Sequence, residues 1–312
     1  MTEPLIRTIG ADLPARLAGP TYAHEHLVID SPLVARDMPH IHLHSVEEGR
    51  AEVQTCVARG VRTMVDAMPA GSGRDPERLS RISILSGMRI VAVTGLHTEK
   101  YYADVPWAGS DSASQLAERF IADIVEGIDL HDYRGERVER STVRAGAVKV
   151  ATMGVKLSER DQRLFEAAAM TVDVTGVPVL THTEGGMGGP AQIETLTGLG
   201  VEPGHIALSH TDKIDDVGYH RSMLETGALL CYDQGLREPD RTLGLIGKMV
   251  EAGFADKILV GTDGARRSLW STLGGSPGLA SLYDLVTQRF DPAVVQRILV
   301  ANPARYLALA QG

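Results

Sequence analysis

Apolar residues recur along this chain in two rhythms. Short, mostly apolar runs fall at 22–29, 61–68, 89–97, 145–151, 178–183, 205–210, 228–233 and 257–263. Between them lie stretches with apolar residues three and four apart, such as VEEGRAEVQTCVARG, SASQLAERFIADIVEGI and SERDQRLFEAAAMTVDVTG. The short runs predict buried strands and the spaced ones predict amphipathic helices. Ser112 or Ser114 and then Ser158 stand where an N-cap belongs, and Gly60 and Gly176 where a helix stops. Eight strands, each followed by a helix, predict a parallel sheet covered by helices. Eight such units in a chain of this length predict a (β/α)8 TIM barrel, one domain over 1–312, with C-terminal helices at 291–309 packed on it. An open doubly wound sheet would call for a glycine-rich turn after the first strand. The sequence there reads HLVIDSP, without glycine.

Length alone would suggest about two domains, but barrels of alternating strands and helices routinely exceed that size as one unit. The 33 glycines suit many short loops. A net charge of −9 argues against nucleic acid or an anionic membrane surface as partner. No stretch approaches the roughly 18 uninterrupted apolar residues of a membrane span. Cys56 and Cys231 are the only cysteines and form no CxxC pair, which argues against a disulfide framework or a thiolate zinc site. The opening MTEPLIRTIGADLPARLAG lacks a basic start followed by an apolar run, so a reduced, cytoplasmic protein is expected.

Chemistry enters at the strand ends. In TYAHEHLVID, strand alternation places Tyr22, His24, His26 and Val28 on one face. A same-face histidine pair can hold a metal ion from two sides, although such a pair by itself is more often plain polarity. The fourth strand carries Lys149, the fifth ends THTEGG with His182, the sixth SHTDK with His210, and the eighth GTDGARR with Asp263. A lone histidine there is ordinarily just hydrogen-bonded, and a lone aspartate is a helix cap. In a barrel these ends meet at one mouth, and several metal-competent ends together predict a metal site. His40, His42 and His44 also alternate, but among loop residues, and are read as solvated. Lys149, in RAGAVKVAT, is set among apolar neighbours that favour its neutral amine. That amine can add carbon dioxide, and the resulting carbamate (N6-carboxylysine) can bridge two divalent ions.

The motifs AHEHL (23–27), AGAVKVAT (145–152), THT (181–183), SHTD (209–212) and NPARYL (302–307) resemble those of the phosphotriesterase family of the amidohydrolase superfamily. The resemblance runs from about residue 20 to 309. It implies that His24, His26, Lys149 and Asp263 hold a more buried ion, and that Lys149, His182 and His210 hold a more exposed one. It further implies a bridging hydroxide that attacks a carbonyl or phosphoryl centre, with Asp263 as catalytic proton acceptor, and a homodimer. The lysine position is Glu in some members; this chain keeps Lys149. The chain reads GTD where organophosphate-hydrolysing members tend to have Asn before the Asp. Zinc is the first expectation for the ions, with manganese, cobalt or iron as alternatives, since His/carboxylate sites accept them all.

The loops after the strands contain His97, Lys100, Tyr101, Tyr102, Arg237, Arg266 and Arg267. Cations gathered at a mouth in a protein of net charge −9 predict an anionic substrate, because guanidinium reads phosphate and carboxylate with a rigid fork. Arg266 and Arg237 are the expected phosphate grips, with Lys100, Tyr102 and Arg267 as further contacts. The stretches GLHTEKYY and DGARR resemble the sugar-phosphate lactonase branch of the family. The expected reaction is hydrolysis of a phosphorylated sugar lactone. The alternatives are an acyl-homoserine lactone lactonase, an organophosphate or phosphoester hydrolase, and a non-catalytic binding protein on the same barrel.

Overall fold

The computed structural model describes residues 3–310; the ends of the expected 1–312 domain lie outside them. The eight expected strands are present, all but the fourth shorter than their apolar runs. They are β1 (Thr21–Glu25), β2 (Thr63–Asp66), β3 (Arg89–Gly95), β4 (Ala145–Thr152), β5 (Val179–Thr183), β6 (Ile206–Ser209), β7 (Leu229–Tyr232) and β8 (Ile258–Val260). They pair in chain order, every neighbour parallel. The seam between β8 and β1 is drawn together by Asp263 N–H, which donates to His24 O at 3.1 Å. The first and last strands thus meet, and the sheet curls into a barrel.

The main helices follow in the expected places: α1 (Val46–Arg59), α2 (Pro76–Ser86), α3 (Ala113–Val125), α4 (Glu159–Thr175), α5 (Gly189–Gly198), α6 (Val217–Glu225), α7 (Pro239–Glu251) and α8 (Ser281–Arg289). Ser112, not Ser114, caps α3, in a reciprocal box with Gln115. Ser158 caps α4, and Gly176 ends it in the left-handed region.

Two apolar layers result. Inside the barrel, Ala23, Val65, Val93, Ala147, Leu180, Ala207, Leu229 and Leu259 fill the lower part. Outside, strand residues such as Ile90, Val148 and Leu208 meet helix residues such as Phe120, Phe165 and Ile246. An antiparallel pair, Leu5–Arg7 with Asp12–Pro14, was not legible in the apolar pattern. Its Ile6, together with Tyr306 and Leu307 from the C-terminal helices, packs on the interior layer. Tyr306 Oη donates to Val179 O at 2.8 Å, which anchors those helices on the barrel.

The alternation expected for 22–28 does not hold. The register of β1 shifts between Tyr22 and Glu25. A bulge puts consecutive residues on one side of a strand. Tyr22 accordingly packs in the outer layer and donates to Leu279 O, while Ala23 lies inside. β1 ends at Glu25, so His26 reaches the mouth from the segment just beyond it.

Candidate metal centre

The strand ends bring the six expected ligand residues to one place. His24, His26 and Asp263 offer atoms within 4.8 Å of one another, as do His24, His210 and Asp233. His24 Nε2 lies 3.3 Å from Lys149 Nζ, and His210 Nε2 lies 2.9 Å from His182 Nδ1. His26 Nε2 is 3.5 Å from Asp263 Oδ1. His210 and Asp263 adopt left-handed backbone conformations, φ 67° and 46°. Such geometry costs about 1–3 kcal/mol for a residue with a side chain and persists where the surroundings over-determine it.

Asp233, at the end of β7, is buried between two of the rings. Its Oδ2 accepts from His24 Nδ1 at 2.9 Å and its Oδ1 accepts from His210 Nδ1 at 2.9 Å. The His210 backbone N–H and Gln234 Nε2 also donate to it. With four donors on two oxygens, Asp233 orients imidazoles rather than offering a free lone pair to an ion. Burial alone would raise its pKa. His210 and His24 outweigh burial and hold the carboxyl well below the usual carboxylate range. Burial, offset by His210, His24 and Arg237, likewise leaves Asp263 ionised.

Burial also pushes the histidines down. His24 falls well below its ordinary value, His26 falls to about 4, and His182 falls too. Neutral rings carry one N–H each. Assigned from the hydrogen-bond network, that proton sits on Nδ1 of His24, facing Asp233, and on Nε2 of His182, facing Glu184 Oε2 at 3.0 Å. His210 Nδ1 also faces Asp233, so His24 Nε2, His182 Nδ1 and His210 Nε2 are the nitrogens turned inward. Inward imidazole nitrogens beside the ionised Asp263 are a donor set that fits a metal. Lys149 is fully buried, and burial lowers it to about 8 against the pull of Asp263 and Asp233.

Above these groups lies a cavity of about 230 Å³. Lys100, Tyr101, Glu184, Lys213, Arg237 and Arg266 line it together with His26, His97, His182, His210 and Asp263. Arg237 donates to Thr262 O at 3.0 Å and Asp263 O at 2.7 Å, which fixes the end of β8. The Arg266 side chain makes no hydrogen bond or ion pair among the described residues, although its backbone carbonyl accepts from Leu269 N–H at 2.9 Å. A larger groove of about 680 Å³ lies between segment 99–109 and the start of α4 and contains none of the ligands.

Two expected substrate contacts are corrected. Tyr102 faces away: its hydroxyl accepts from His97 N–H at 2.6 Å, and Tyr101 occupies the cavity wall instead. The single turn Glu99–Tyr101 sends neighbouring side chains to opposite sides. Arg267 is also turned away, donating to His42 O at 3.1 Å and Glu48 at 3.2 Å on α1. In the loop trio, His42 pairs with Asp30 at 2.7 Å and stacks on His44, while His40 reaches the cavity rim. Asp233, Glu184 and Lys213 escaped the sequence reading. Asp233 and Glu184 directly follow strand ends and Lys213 lies three residues after His210, and that position was the only signal.

Barrel and site together define a metal-dependent hydrolase of the amidohydrolase type, with candidate ligands drawn from separate strands around a buried lysine. The chain belongs to the Phosphotriesterase family, which it matches over residues 6–307. It is 31% identical to a phospho-furanose lactonase of Mycoplasmopsis synoviae, over 99% of this chain and 93% of that one. It is 29% identical to an aryldialkylphosphatase of Saccharolobus solfataricus, over 86% and 84%. The crystal structure of an amidohydrolase from Mycoplasma synoviae superposes with a TM-score of 0.94 at 27% identity, covering 100% of this chain and 94% of that one.

Proposed function

We propose that this protein hydrolyses a phosphorylated sugar lactone at a centre of two divalent ions, zinc first among them. The observation that carries the reading is the cavity wall: Lys100, Lys213, Arg237 and Arg266 surround a site whose floor is the ligand cluster, in a protein of net charge −9. A neutral triester would be better served by an apolar, aromatic wall. The 31% identity to a phospho-furanose lactonase supports the same class.

In this reading His24, His26, Lys149 and Asp263 hold one ion, and Lys149, His182 and His210 the other. When bound, the ions acidify a water and polarise the lactone carbonyl. Lys149 first loses its ammonium proton; the neutral amine then forms a bond to the carbon of carbon dioxide and releases a second proton, which turns a costly buried cation into an anionic ligand. Asp263, ionised, takes the proton of the attacking water and returns it to the ring oxygen as the lactone opens. Arg266, whose side chain has no partner among the described residues, and Arg237 grip the phosphate. Buried, unpaired Cys56 and Cys231 suit a reducing compartment, so we place the protein in the cytoplasm. No helix among the described residues is long and apolar enough to cross a membrane.

The test is to load metal-free protein with zinc, with and without bicarbonate, and assay matched lactones with and without a phosphate group. Bicarbonate should speed recovery of activity, and the phosphorylated lactones should be preferred. Arg266→Ala should raise KM for the phosphorylated lactone by about 10- to 100-fold, the loss of one charge-assisted contact, with little change for its unphosphorylated analogue. Faster turnover of acylated homoserine lactones or phosphotriesters, or an unchanged KM in Arg266→Ala, would defeat the assignment.

A further inference from the structure

Each imidazole that faces the proposed exposed ion is backed by a carboxylate, and the two carboxylates differ in kind. Behind His210 stands Asp233, fully buried and holding four donors. Behind His182 stands Glu184, whose side chain is 39% exposed and forms part of the cavity wall. Glu184 opens the turn Glu184–Gly186, directly after β5. Gly185 and Gly186 take left-handed conformations there, φ 61° and 83°, which fold the chain back so that Oε2 lies 3.0 Å from His182 Nε2. His182 Nδ1, on the other side of the ring, points toward His210 Nε2 at 2.9 Å. The two nitrogens of an imidazole diverge, so the carboxylate oxygen on Nε2 cannot reach an ion on Nδ1.

We propose that Glu184 is a positioning residue for the more exposed ion: it holds the His182 proton on Nε2 and so keeps Nδ1 free and aimed at the metal. This rests on the two-ion reading above. A hydrogen bond of this kind fixes tautomer and ring orientation and raises ligand basicity, and its loss typically costs 10- to 100-fold in metal affinity. Glu184 touches only one of the three side chains assigned to the exposed ion and none assigned to the buried one. Its effect is therefore confined to a single site. Asp233, by contrast, touches His24 as well as His210 and so serves both.

The experiment is a zinc titration of the full-length protein against a competing chromophoric chelator, for wild type, Glu184→Gln and Glu184→Ala. Wild type should show two dissociation constants. Glu184→Ala should weaken the looser one by about 10- to 100-fold and leave the tighter one unchanged. Glu184→Gln should fall between, because an amide oxygen still accepts from Nε2–H, and it carries the test if the alanine variant does not fold. Activity of the variants should recover at saturating zinc with KM for the lactone unchanged. Two zinc constants that do not move in either variant would overturn the role of Glu184 alone. A raised KM with unmoved constants would do the same and make Glu184 a substrate contact. A wild-type protein that takes up one zinc would overturn the two-ion reading and this inference with it.

Discussion

Asp233 presents one oxygen to His24 and the other to His210, each at 2.9 Å. A carboxylate can accept on both sides, whereas an asparagine amide accepts on one and donates on the other. Asp233→Asn therefore leaves one ring without its orienting partner and the other with an uncharged, weaker acceptor. Zinc titration of this variant should show both dissociation constants weakened, the larger loss about 10- to 100-fold, in contrast to the single constant expected to move in the Glu184 variants. The ligands themselves could be read from the sequence because each is a metal-competent residue ending an apolar run. Asp233 also ends such a run, but its meaning depends on His24, 209 residues away in the chain. Tyr101 and Tyr102 show the opposite failure. Two adjacent tyrosines have identical chemistry in sequence, and only the turn Glu99–Tyr101 decides that Tyr101 faces the cavity.

Strands and the seam between them set the geometry of the mouth. At Gly261 an added Cβ would lie 2.6 Å from His24 O and 2.8 Å from His24 N. At Gly95 (φ 99°) it would lie 2.0 Å from Lys149 O. Neither obstacle is a flexible side-chain tip; both are backbone of strands that carry ligands. Gly261→Ala must push β8 off β1, and overpacking of this kind costs roughly 1–3 kcal/mol. The displacement reaches Asp263 through its bond to His24 O. Thermal melts should show lowered stability, and the tighter zinc constant should weaken. A variant with wild-type melting and zinc affinity would show that the seam tolerates a methyl group. Strand existence was legible from runs of β-branched residues, but strand ends were not. The runs continue into loops that are equally buried, and the bulge in β1 is set by pairing with β2, which alternation within one strand does not encode.

Across the molecule, the excursion 128–143 between α3 and β4 is tied to the rest by a buried charge cluster. Asp132 accepts from Gly71 N–H at 2.8 Å, Gly73 N–H at 2.9 Å and Arg74 Nε at 3.0 Å, and Arg74 Nη2 reaches Asp123 at 2.6 Å. Burial raises Asp132 from 3.8 to about 6, despite Arg74 and the two amides pulling it back. The folded protein thus keeps this proton over a range where the unfolded chain has released it. The contribution of Asp132 is fully present below about pH 4 and is lost as pH rises through about 6, by up to about 3 kcal/mol. Asp132→Asn should flatten the fall in unfolding free energy between pH 4 and 6.5, followed by denaturant melts of the metal-free protein. An identical slope in wild type and variant would refute that assignment.

The amino-acid sequence by itself determined the eight strand–helix units, and with them the barrel, because each apolar run or stripe must be buried and parallel strands must be covered on both faces. It also determined which residue types stand at the strand ends, and so the metal chemistry. The tertiary structure alone decided which side chains share one point in space. It placed Asp233 between two histidines, Glu184 behind His182, Lys213 in the wall, and Tyr102 and Arg267 outside it. Those assignments depend on loop direction and contacts between distant segments, whereas the periodicity of a sequence reports only how each segment is buried.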